Sequence, residues 1–224
     1  MPSGEPEPPA IVECVPNVSE GRDRAVLVRV GDAVRAVPGT TLMNVHTDAD
    51  HHRSVFSFLG PPAAVEAAAL ALAAVVIAAV DLRGHRGSHP RIGALDVVPF
   101  VPLAGLGMAD AVALARRVGR AIAERHELPV YYYGHAATRE SRRRLPGVRH
   151  GQYEGLAARL ESPAGEPDDG PARFDPRSGA VLSGARELLV AFIVWLETAV
   201  REEARAIAGA VRETDAGLPA LHAL

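Results

Sequence analysis

RSVFSFLGPPAAVEAAALALAAVVIAAVDL, residues 53–82, is the stretch that decides the architecture. Residues 53–60 alternate, with Val55 and Phe56 leading to Phe58, and read as a strand with one face in a core. Pro61 and Pro62 then open a helix at its first turn, where a missing N–H costs nothing. The alanine-rich segment that follows is apolar enough to raise the question of a membrane span. After Glu66 its uninterrupted run extends only from Ala67 to Val80. A span takes about 20 predominantly apolar residues. A helix buried in a protein core is the expected outcome, with no membrane partner.

The same grammar continues on both sides. Residues 11–16, IVECVP, form a short apolar run ended by proline, which predicts a strand. Ser19 can cap a helix in which Val26, Val30, Ala33 and Val37 recur at helical spacing, and Pro38 and Gly39 end it. Residues 40–47, TTLMNVHT, are strand-like, and TDADHH connects them to the strand at 53–60. Residues 94–103 predict a strand, 108–126 an amphipathic helix and 128–134 a strand. The order β-α-β-β-α-β is that of a ferredoxin-like, split βαβ arrangement of the α+β class. It predicts a mixed sheet, largely antiparallel, with helices packed on it.

The texture changes after Ala136. Residues up to 161 are basic and then helical, completing a first subdomain over 11–161. Residues 162–186 are rich in Pro, Gly and Asp and predict an irregular connector. LLVAFIVWL, 188–196, predicts a strand, an amphipathic helix follows, and GLPALHAL begins another strand-like run. Residues 187–224 thus read as the start of a second, incomplete β-α unit. Residues 1–10 read as a disordered tail without the basic and apolar regions of a signal peptide.

A formal charge of −3 gives no basis for a nucleic-acid partner. Cys14 is the sole cysteine, which excludes an intramolecular disulfide and points to the cytoplasm. Five of the nine histidines lie between residues 46 and 89: His46, His51, His52, His85 and His89. With Asp48 and Asp50 the cluster His46–His52 raises a metal-dependent hydrolase, but its spacing matches no strong ligand pattern and no metal is expected. His89 stands apart. It precedes a proline, which favours extended backbone, and Gly84 and Gly87 permit close approach of a ligand. Imidazole is the usual proton shuttle near neutrality. Arg53 and Arg91 can each grip a carboxylate through two parallel N–H groups. The run Arg142–Arg144 predicts a solvated helix face. One or more of Tyr131, Tyr132 and Tyr133 belongs in the core, and Asp96 is either a structural acid or a partner for a histidine.

Six motifs occur in order: ECVPNVSEGR (13–22), DHHRSVFSFLG (50–60), GSHPRIGALDVVPFVP (87–102), PVYYYG (129–134), GQYEGL (151–156) and PDDGPARFDPRSGA (167–180). Together they resemble the N-terminal subdomain of glutamate formiminotransferase, the transferase part of formiminotransferase-cyclodeaminase. The resemblance implies transfer of a formimino group from N-formimino-L-glutamate to N5 of tetrahydrofolate, a co-substrate, in one-carbon metabolism and histidine breakdown. It implies that His89 is the acid–base catalyst. It also implies that folate lies along Gly170–Gly179, a segment including Pro171 and Phe174, in a channel between two subdomains. Asp48, Asp50 and Asp96 are candidates to face the cationic charge that develops, and Arg53 and Arg91 to hold substrate carboxylates. The sequence departs from the animal members at His46, where they carry aspartate, and at Asp169, where an aromatic is usual. A homodimer or a partner chain would complete the second subdomain. A non-catalytic folate-binding module of the same fold is the alternative.

Overall fold

The computed structural model describes residues 9–190, 194 and 196–212. Apart from residues 9 and 10, the N-terminal tail lies outside that set, as does the strand-like run near the C-terminus. The chain divides after Leu188 into two units.

The first unit begins with β1 (Ile11–Cys14) and β2 (Asn17–Val18), then α1 (Arg24–Arg35), β3 (Thr41–Asp48) and β4 (Arg53–Gly60). There follow α2 (Pro62–Ala79), β5 (Leu95–Ala104), α3 (Met108–His126) and β6 (Val130–Gly134). Two short helices, α4 (Leu145–Val148) and α5 (Leu156–Leu160), precede β7 (Val181–Ala185). The protein is mixed α+β, and its sheet runs in mixed orientation. The strand order is β1-β4-β2-β5-β7-β6, with β3 paired to β4 and β1 also paired to β5. Pairings from β3 to β5 are antiparallel. Those of β7 with β5 and with β6 are parallel.

Proline explains why β1 and β2 are separate. Pro16 has no N–H to give the ladder. Opposite the break stands Pro99, whose carbonyl accepts from the Val15 N–H at 3.2 Å. β1 pairs with β5 from Phe100 onward, and β2 pairs with it at Leu95 and Val97. The sheet is thus interrupted at its middle, beneath the site described below.

The two faces of the sheet are covered differently. β4 alternates as its sequence requires: Ser54, Phe56, Phe58 and Gly60 are buried, while Arg53, Val55, Ser57 and Leu59 are half-buried. Phe56 and Phe58 join Val12, Cys14, Val98, Phe100 and Tyr132 in the main core with α1, α2 and α3. α2 is long and apolar enough to cross a membrane by length and composition. In this fold Val65, Ala68, Ala69, Leu72, Ala73 and Val76 are buried in that core. Its small side chains allow close packing against the sheet. On the opposite face, Val97, Tyr131, Tyr133 and Leu182 pack with Val148, Leu156 and Leu160 of α4 and α5.

Three expectations are corrected. The cap of α1 is Asp23, whose carboxylate accepts from the N–H groups of Ala25 and Val26. Ser19 is buried and donates to the Gly93 carbonyl at 2.7 Å, tying β2 to β5. The connector does not stay irregular to residue 186: β7 inserts between β5 and β6. A five-residue run containing serine and glycine carries little strand signal, and its slot between two apolar strands supplies the ladder. Arg142 is buried rather than solvated, paired with Asp168 at 2.7 Å and lying over the Tyr131 ring. The alternation of Tyr131, Tyr132 and Tyr133 buries all three, because both faces of β6 are covered.

In the second unit, α6 (Arg201–Val211) is the helix expected there. The strand expected over 188–196 is not formed among the described residues: Leu188, Leu189, Val190, Val194 and Leu196 are outside any strand and exposed. An extended apolar run becomes a strand only when a neighbour supplies hydrogen bonds. Residues 191–193 and 195 lie outside the described set.

Candidate active site

Over the break between β1 and β2 lies a cavity of about 150 Å³. Its walls are Val15 and Asn17 from the broken strand, Arg53 from β4, and Val97 and Pro99 from β5. Tyr133, Leu145, Arg149, Arg186 and His89 complete it. His89 arrives on the loop after α2. Asp81 caps a single 3-10 turn at Leu82–Gly84 by accepting from the Arg83 N–H. Beyond that turn the loop is held by the β3–β4 connection rather than by its own hydrogen bonds.

Three segments are knitted together there. Ser88 N–H donates to the Asp50 carbonyl at 3.1 Å. His85 Nε2 lies 2.9 Å from the His52 carbonyl, and His52 Nδ1 lies 3.1 Å from the Arg86 carbonyl. The His52 and His85 rings stack at 4.2 Å, nearly parallel. On its other side His52 Nε2 meets Glu20 Oε1 at 3.1 Å. The same Glu20 oxygen accepts from the N–H groups of Gly21, Arg22 and Asp23. Both nitrogens of His52 are therefore engaged, one by each neighbouring segment. A Cβ on Gly87 would come within 2.3 Å of the His51 carbonyl, so this contact requires glycine.

The electrostatics of His89 follow from its neighbours. Burial pushes its imidazole down to about 3, and the neighbouring Arg53, Arg149 and His51 add to the effect. The His51 ring lies 6.5 Å away, edge to face, and Asp48 Oδ2 pairs with His51 Nδ1 at 2.8 Å. His89 is thus neutral across the physiological range, the form that can accept a proton. Burial likewise pushes His85 down to about 4.

These two shifts, with the lowered His126, set a pH dependence that the raised Asp96 opposes. Below 6.5 the unfolded chain binds protons that the folded chain refuses, so folded stability falls on acidification. The window opens near 6.5 and extends to about 3 for His89 and about 4 for His85. The lowered carboxylates Glu20, Asp48 and Asp81 act only below their ordinary values of 3.8–4.5. The thermal unfolding midpoint is therefore expected to drop between pH 7 and pH 5, and to drop less in His89→Gln. A flat profile over that interval would contradict the burial of these rings.

Of the residues singled out from sequence, the fold brings Arg53 and His89 to one cavity. Asp48 reaches His89 only through His51, and Asp50 is exposed, its carbonyl bound by Ser88. Arg91 does not line the cavity. It is buried, pairs with Glu154 at 2.9 Å and lies over Tyr153. Tyr153 in turn meets Phe174, with ring centroids 5.5 Å apart. Gly170 and Gly179 hold φ of +83° and +68°, and Pro171 is half-buried between them. These connector residues shape the approach to β6 and β7 and do not line the cavity. Asp96 is a buried acid that accepts from the Ile92 N–H at 2.8 Å and binds Arg149, not a histidine. His46 lies on exposed β3, His51 is engaged by Asp48 and His52 by Glu20. Among the described residues, no three His, Cys, Asp or Glu side chains gather as metal ligands would. Arg149 and Arg186 were missed, because nothing in their local sequence separates them from surface arginines.

Comparison with known proteins places this geometry. The family described as formiminotransferase domain, N-terminal subdomain, matches residues 11–186. Formimidoyltransferase-cyclodeaminase of Gallus gallus is 44% identical over 207 residues, 92% of this chain and 38% of the relative. Glutamate formimidoyltransferase of Thermoplasma acidophilum is 40% identical over 211 residues, 93% of this chain and 69% of the relative. That of Streptococcus pyogenes serotype M1 is 37% identical over 207 residues, 92% of this chain and again 69% of the relative. This chain therefore spans well under half of the bifunctional relatives it matches. On the match across residues 11–186, which holds every wall of the cavity, the chain belongs to the family of the formiminotransferase N-terminal subdomain.

Proposed function

We propose that this chain transfers a formimino group from N-formimino-L-glutamate to N5 of tetrahydrofolate, with His89 moving the proton. The observation that carries the reading is an imidazole set beside Arg53, Arg149 and Arg186 in a cavity at the interruption of the sheet, where burial lowers its pKa. The N5 amine attacks the amidine carbon, and the new C–N bond leaves a proton to be removed from N5. His89 takes it as a base, then returns it to the glutamate nitrogen as the old C–N bond breaks. Glutamate leaves as the amine, and the formimino group stays on folate.

Asp48, acting through His51, is read as balancing the cationic charge of the intermediate; its pairing with His51 beside His89 supports this. Gly170, Pro171, Phe174 and Gly179 are read as the folate segment, and Arg91 as a positioning residue for it through Tyr153 and Phe174. The antiparallel order β3-β4-β1-β5 supports the split βαβ reading of this half of the sheet. A cytoplasmic setting, and completion of the site by a second copy or a partner chain, belong to the same proposal.

The test is transfer by the purified chain, with both substrates, followed through the absorbance of the folate product over a range of protein concentration. Turnover per chain that rises with concentration is the expected result, because self-association would complete the site. Binding of tetrahydrofolate without turnover at any concentration would favour the non-catalytic folate-binding module instead.

A further inference from the structure

We propose that Arg53, Arg149 and Arg186 form a carboxylate subsite beside His89, and that filling it lets His89 hold a proton. The inference deepens the reading of His89 as an acid–base residue and rests on it. Three guanidinium groups reach one small cavity from separate elements: the start of β4, the loop after α4 and the end of β7. Two carboxylates stand near them: Asp96, which is 2% exposed, binds Arg149 from within the sheet, and Asp48, opposite Arg53 on the β3–β4 ladder, is paired with His51. Among the described residues, neither Arg53 nor Arg186 has an ion-pair partner. The Nε atoms of Arg53 and Arg149 are buried, and neither has a hydrogen-bond partner among the described residues. Clustered cations in a partly desolvated site repel one another, and burial together with Arg149 pulls the Arg53 guanidinium below its ordinary value. An anion relieves that repulsion and supplies the missing acceptors. Planar N–H forks match a carboxylate best.

The cavity admits the end of a small carboxylate rather than a whole large ligand. The groups facing His89 are Arg53, Arg149, Arg186, Tyr133 and His51, with Asp48 held by His51 and Asp96 held by Arg149. Most of the charge around His89 is therefore positive, which disfavours an imidazolium. A bound carboxylate reverses the local sign. The donor would then bring with it the charge that allows His89 to complete the proton transfer.

The probe is glutarate, titrated into the full chain at pH 6.5 against sodium chloride of equal ionic strength. The readouts are NMR signals of His89, identified by their loss in His89→Gln, and of the Arg53 Nε–H. Saturable shifts at both groups are expected, with the His89 titration midpoint raised by about 1 pH unit or more. Arg186→Gln and Arg53→Gln are each expected to weaken binding about tenfold or more, the loss of one charge-assisted contact. Arg186→Gln keeps the test open should Arg53→Gln fail to fold. Shifts that do not saturate, or that are equal in folded variants and parent, would overturn the subsite. Transfer activity without glutarate binding would remove the subsite and keep the proposed reaction. Binding without transfer would do the reverse.

Discussion

Replacing His89 by alanine is expected to lower kcat for formimino transfer by about 10²–10⁴-fold, the usual worth of one acid–base group. The KM values should change much less, because the proposed carboxylate and folate contacts are made by other residues. His89 sits on a loop held by contacts of its neighbours: Ser88 with Asp50, His85 with His52, and Gly87 against His51. Its removal leaves those contacts in place, so the unfolding midpoint of the variant should stay close to that of the parent. Steady-state kinetics beside a thermal melt checks both halves. Undiminished turnover in a well-folded variant would take His89 out of the mechanism.

The second large effect is on stability. Arg142 and Asp168 are 3% and 7% exposed and pair at 2.7 Å. Asp168 also accepts from the Tyr132 N–H and the Thr138 hydroxyl, and Arg142 donates to the Glu166 carbonyl. This network pins the connector to β6 before the chain turns into β7. Arg142→Met would leave a buried carboxylate without its counter-charge, at a cost of about 3–5 kcal/mol. That is a large part of the stability of an ordinary domain. Chemical denaturation should show a markedly lower midpoint. Adding Asp168→Asn should recover part of the loss, because the uncompensated charge is then gone. An Arg142→Met chain as stable as the parent would mean that the pair contributes no net stability.

The contrast between Arg142 and Arg144 shows where local reading stops. Both belong to one basic run, and a run of charge normally marks a solvated face. Arg142 is buried, while Arg144 stays exposed. Nothing within the run separates them. The difference comes from Tyr131 and Asp168, 11 residues before and 26 residues after Arg142 in the chain. Arg149 is the same case at the site: its partner Asp96 is 53 residues away, and only the fold brings it beside His89 and Arg53.

The strands at 11–14, 41–48 and 53–60, and the helices at 62–79 and 108–126, were legible because each carries its signal in its own periodicity and punctuation. Side-chain alternation and proline placement act within a few residues, so local sequence determines them. His89 stood out for a similar reason: it shares one short loop with glycines and a proline, and the fold brings it to the cavity. Which groups charge His89's surroundings was not legible. Nor was the strand at 181–185, which exists because β5 and β6 leave a slot for it. The apolar run after Leu188 has the stronger local signal, yet its described residues form no strand. The alphabet of elements was thus set by short-range sterics and hydrophobic period. The partners of buried charges, the interior strand β7 and the chemistry of the cavity were decided by contacts between residues far apart in the chain, through burial and desolvation that no local pattern encodes.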